Sequence, residues 1–198
     1  MASQHENISD DDAELCVDKF MAAYNNAAEE DALVYTTARY ILKLCSILHM
    51  NDIPTSLFIQ QRATLEFSAT EEVIQRAVVI LNNFSLVQGR DTLSINRKIQ
   101  NIVYWSSGSE QRREWCSTIA AALANENMDE CYIRHGLRVL ELFQANIECR
   151  RRLDVDSQQH IDIGYLISKI GEYLINNSTI KKSVHSDRSY PSSSVLFG

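Results

Sequence analysis

The chain has 198 residues, two prolines, six glycines and a hydrophobic share of 45%, enough apolar material for a packed core without staples. Its formal net charge of -7 disfavours a phosphate backbone as the main partner. Five widely spaced cysteines without a C-x-x-C pair exclude the usual zinc-ribbon and redox spacings and are expected to be reduced thiols. The start lacks a basic and apolar signal segment, and no stretch approaches the roughly 20 apolar residues of a membrane span, so a cytosolic or nuclear address without membrane contact follows, of which the cytoplasmic one is expected.

In chain order, a first helix is expected to start among Ser9 to Asp12, where side-chain oxygens cap free amides and acidic groups suit the dipole. Val17, Phe20, Met21 and Tyr24 then share one face. Val34, Ala38, Ile41, Leu42, Cys45 and Leu48 predict a second helix running to about His49, ended by Asn51-Asp52-Ile53-Pro54 because a residue before proline leaves the α region. Pro54 suits the first turn of a short third helix with Leu57 and Phe58 inward. Ser68-Ala69-Thr70-Glu71 has the form of a capping box, with Ser68 as the cap, opening a helix that carries Ile74, Ala77, Val78, Leu81 and Phe84.

Residues 85–88 and 92–95 are short β-prone runs joined by Gly89-Arg90-Asp91 and predict a hairpin. A helix with Ile99, Ile102 and Val103 on one side follows, then a break at Ser106 to Ser109. Three further amphipathic patterns complete the folded part: Trp115, Ile119, Ala122 and Leu123; Ile133, Leu137, Leu140, Phe143 and Ile147; Ile163, Leu166, Ile167, Ile170 and Leu174. Beyond Asn177 the periodicity stops, and a disordered tail is expected.

The fold class expected is mainly α. A helical lead-in (1–28) precedes a winged-helix-like domain of three helices and a short hairpin (29–106), an antiparallel helical extension (109–177) and the tail (178–198). A winged helix that reads DNA needs cations on its third helix. Here that helix carries Arg76 against Glu71 and Glu72, which argues for packing against protein and leaves a DNA-binding transcriptional regulator as the alternative.

Three stretches carry a family likeness. Residues 42–58 hold a leucine-rich helix, an Asp52-Ile53-Pro54 turn and a Leu57-Phe58 helix; residues 77–87 run from a helix into Phe84-Ser85-Leu86-Val87; and residues 93–100 read Leu-Ser-Ile-Asn-Arg-Lys-Ile-Gln. Together they resemble the winged-helix segment of NB-ARC-type signal-transduction (STAND) ATPases that carry C-terminal tetratricopeptide repeats. Residues 164–174, with Gly171 where close helix packing wants a small side chain, look like the first helix of such a repeat.

In that family a histidine of the third stretch lies near bound ADP; Asn96 stands at the matching position, so the resemblance implies no nucleotide contact there. The phosphate-cradling G-x-x-x-x-G-K-[ST] loop is absent from the sequence. The resemblance thus implies a truncated relative that is no enzyme and binds no cofactor, acting through contacts with other proteins such as full-length relatives.

No catalytic set is expected. The histidines His5, His49, His135, His160 and His185 are scattered, and Cys131 with His135 gives two ligands on one helix face, too few for a metal site, so a surface histidine is expected. A candidate interaction surface combines Arg112 and Arg113 with Arg150, Arg151 and Arg152, where an acidic peptide could sit; a solvated helix end accounts for the same charges equally well.

Overall fold

The computed structural model describes residues 8–65, 68–148 and 158–186. It is mainly helical, with eight helices and a two-stranded sheet among those residues. Helix α1 (Asp10–Asn25) starts where expected: Ser9 Oγ accepts from the Asp12 amide at 3.0 Å, with three aspartates in the first turn. Phe20 anchors it, its ring 5.7 Å from Phe84 and 6.3 Å from Tyr35 between centroids.

Helix α2 (Ala32–Cys45) ends earlier than its apolar spacing suggested. The reason is tertiary: the side-chain amide of buried Gln100 donates to the carbonyls of both Cys45 and Leu48 at 3.0 Å, so these carbonyls are satisfied without another helical turn. Asp52 adopts a left-handed backbone, φ 59°, and turns the chain into β1 (Ile53–Pro54) and α3 (Thr55–Gln60).

Helix α4 (Glu71–Asn83) is capped by Thr70, whose Oγ1 accepts from the Val73 amide at 3.4 Å; the cap is therefore not Ser68, which is exposed. Ile74, Ala77, Val78 and Leu81 face inward as predicted. After α4 the expected hairpin is only partly formed. Gln88 and Ser94 exchange two backbone hydrogen bonds of 2.8 Å, but β2 (Thr92–Leu93) pairs antiparallel with β1, Ile53 opposite Leu93. Leu86 and Val87 are buried in the core, and β1 takes the neighbouring edge; Thr55 holds it there through Asp91 and Arg90 carbonyls.

Helices α5 (Arg97–Trp105), α6 (Ser109–Ala124), α7 (Glu130–Glu148) and α8 (Gln158–Ser186) follow. Backbone helix continues past Asn177 to Ser186, beyond the point where the sequence pattern ended; the rest of the tail lies outside the described residues. α2 packs on α4, α1 on α5, and α6 on both α7 and α8. Ser117 donates to Asp162 at 2.7 Å, tying α6 to α8.

Gly136, not Gly171, is the close-packing glycine. A Cβ there would sit 2.9 Å from Ile170 Cδ1, whereas one at Gly171 would meet open space. The buried apolar residues form one cluster from Ala13 to Ile170, passing without interruption across the break at Ser106 to Gly108. On α7 the inward face is Ile133, His135, Gly136, Val139, Leu142 and Phe143, and Leu137, expected inside, is 50% exposed.

Candidate functional site

The expected basic surface is only partly formed. Arg112 folds back at the α5–α6 turn, its guanidinium carbon 4.7 Å from the Trp105 ring centre and 5.0 Å from that of Tyr104, and it donates to the Ser107 carbonyl. Arg113 is half-buried, and its Nε is buried without a hydrogen-bond partner. Arg150, Arg151 and Arg152 lie outside the described residues. Arg112 therefore acts first as a clamp on the turn rather than as a free contact.

Asn96 has a local task that accounts for its type: it is the N-cap of α5, Oδ1 accepting from the Lys98 amide at 2.8 Å. Lys98 in turn pairs with Asp10 of α1 at 2.7 Å. An asparagine serves this cap as well as any residue, with no nucleotide needed to explain it.

Cys131 and His135 do share a face, Sγ lying 3.5 Å from Nε2. His135 is not a surface histidine, however, but 1% exposed. Its Nδ1 accepts from the His49 amide at 3.1 Å and its Nε2 lies 3.1 Å from the Asp52 carbonyl, which assigns the neutral tautomer with the proton on Nε2. Burial, together with the charges of His49 and Arg134, pushes the His135 pKa down to about 4, against the opposing hydrogen bond to Asp52.

The Cys131 thiol donates to the same Asp52 carbonyl at 3.1 Å, and Arg134 pairs with the Asp52 carboxylate at 3.1 Å. Three side chains of α7, those of Cys131, Arg134 and His135, thus converge on the turn at 49–52 and fix α7 against it. The left-handed Asp52 backbone aims its carbonyl at α7, which makes this a latch rather than a reaction centre. A histidine held neutral with both nitrogens satisfied has no free lone pair for a metal or substrate.

Among the described residues, no group of three or more His, Cys, Asp and Glu is placed to hold a metal ion, and no helix is long and apolar enough to cross a membrane. No family model, curated protein or solved structure matches the chain.

What remains is a set of exposed apolar side chains on α7 and around α8. Leu137 on α7, with Ile161, Tyr165, Ile167, Leu174 and Ile175 on α8, makes six of the ten large apolar side chains left exposed among the described residues. Ile167 and Leu174 were expected inside; they flank the buried stripe of Ile163, Leu166 and Ile170. The sequence signal that could have found these side chains is the excess of apolar positions on α8, more than one helix face can bury.

Proposed function

We propose that this chain is a non-catalytic, cytoplasmic protein-binding regulator, related to the winged-helix and repeat-start segment of NB-ARC (STAND) ATPases with C-terminal tetratricopeptide repeats. The observation that carries the reading is the number of large apolar side chains that α7 and α8 leave exposed. A helix that keeps leucine and isoleucine in water is the kind of element that another helix covers in a repeat array or a complex. Three helices followed by a narrow ribbon, α2, α3, α4 and then 88–94 with β1 alongside, support the winged-helix part of the reading.

The test is binding to a full-length NB-ARC relative with repeats. A complex that survives gel filtration and is weakened by Ile167→Asp or Ile175→Asp is expected. A chain that stays monomeric and free in the presence of such relatives refutes the proposal.

The alternative, a DNA-binding winged-helix transcriptional regulator, draws on Arg76, Gln75 and Arg90, which line one depression beside α4. Glu72 lines it too, and Arg76 is already paired with Asp31 at 2.8 Å. Charge therefore favours protein over DNA here. A low-salt mobility-shift assay showing saturable, sequence-selective binding would reverse that preference.

A further inference from the structure

Arg39 and Lys43 stand one helical turn apart on α2 and therefore leave the same face. Both line a cavity of about 380 Å³ between α1, α2 and the end of α5, whose other walls include Val17, Met21, Ile102 and Val103. Lys43, with Gln111 of α6, also walls an adjoining cavity of about 360 Å³ that is rich in hydroxyls, those of Thr36, Tyr40, Ser68 and Thr118. A cationic partition thus separates an apolar chamber from a polar one.

Neither cation forms an ion pair among the described residues. Four ion pairs form among the described residues, and they use Arg76, Lys98, Arg134 and Arg138. Arg39 lies instead over the Tyr24 ring, 4.9 Å from its centre, with a 3.3 Å hydrogen bond to the Tyr24 hydroxyl. The Lys43 ammonium lies 4.9 Å from the centre of the Trp115 ring. Asp18 and Glu114 line the two chambers without closing on either cation.

Burial, and then the charge of Arg39, hold the Lys43 pKa below the ordinary lysine range. Such an arrangement is costly, because two like charges share a partly desolvated place and neither Asp18 nor Glu114 closes an ion pair with them. An anion between them would repay both the repulsion and the lost hydration.

We propose that the paired cavities around Lys43 bind a small amphipathic carboxylate, its head held by Lys43 and Arg39 and its aliphatic body lying against Val17, Met21 and Ile102. The volumes fall at the lower end of the roughly 300–1,000 Å³ usual for small-molecule sites, which suits a short chain rather than a long-chain lipid. The ligand would touch α1, α2 and the α5–α6 junction together, so it would brace the front of the molecule against the helical extension. This inference is independent of the protein-binding role above.

The test is calorimetric titration of the full chain with octanoate, octanol and inorganic phosphate. Octanoate is expected to saturate a single site, with octanol and phosphate weaker by about tenfold or more, since one lacks the head and the other the body. Lys43→Met should weaken octanoate by about tenfold and leave octanol unchanged, while Lys43→Arg keeps the charge and binds within about threefold of the original.

Octanoate that never saturates, octanol or phosphate that binds as tightly as octanoate, or a Lys43→Met chain that melts like the original and binds octanoate equally well would each overturn the proposal. Should Lys43→Met fail to fold, the comparison of the three probes on the unaltered chain decides alone.

Discussion

Acidification is the perturbation that most directly interrogates the latch at His135. In the folded chain this imidazole is neutral with a pKa pushed down to about 4, against 6.5 when exposed. Between those values the unfolded chain binds a proton that the folded chain refuses, so stability falls as pH drops from 6.5 toward 4 and is fully present above 6.5. The difference of about 2.5 pH units, at 1.36 kcal/mol each, makes the loss about 3 kcal/mol. The structural cause is explicit: a second ring proton on Nδ1 would meet the His49 amide donor in a place shielded from solvent.

Urea unfolding at a series of pH values, on the original chain and on His135→Gln, isolates the effect, because every other titrating group is common to both. The original chain should lose about 3 kcal/mol more than the variant between pH 6.5 and 4. Superimposable profiles would refute the assignment of a buried neutral imidazole.

Other substitutions probe other joints. Gln100→Leu strands the carbonyls of Cys45 and Leu48 that its amide now serves, and should cost about 2 kcal/mol or more in denaturant unfolding. Gly89 has φ 106°, and a Cβ there would lie 2.0 Å from the Thr92 carbonyl oxygen, so Gly89→Ala should destabilise by about 2 kcal/mol and speed amide exchange at Gln88 and Ser94. Gly136→Val should drive α8 from α7 at a cost of about 1–3 kcal/mol, read from thermal melts. The buried thiols of Cys45 and Cys116, pushed up to about 12, should resist alkylation at pH 8 until the chain is denatured, whereas half-buried Cys16 and Cys131 label in the native state.

Much of the helical framework was legible because its signals are local. Ser9 and Asn96 cap helices through their own side chains, and the apolar residues of α4 and α6 repeat with a period that the neighbouring sequence carries in full. Where the pattern offered two readings, it misled. On α7 both Leu137 and Val139 fit a helical stripe, and only the position of α8 and of the turn at 49–52 selects Val139 and His135 for the inside. The capping box at 68–71 was misplaced for a similar reason: Ser68 and Thr70 are both good caps, and the path of the chain into α4 chose Thr70.

The candidate sites were less legible than the fold. Arg112 and Arg113 stand out as a basic pair, yet their roles depend on Trp105 and on the interior behind the turn. Arg39 and Lys43 are unremarkable in sequence, and only the placement of Tyr24, Trp115 and the two cavities gives them a common task.

The sequence by itself determined the helical class, most helix starts and a net negative charge, because each follows from neighbours within a few residues or from composition alone. The tertiary structure decided that Ile53 pairs with Leu93, that His135 of α7 closes on a turn 86 residues earlier, and that two cations meet at a shared cavity. Such meetings depend on how whole helices pack against one another. No periodicity within a single helix records which distant side chain its inward face will touch.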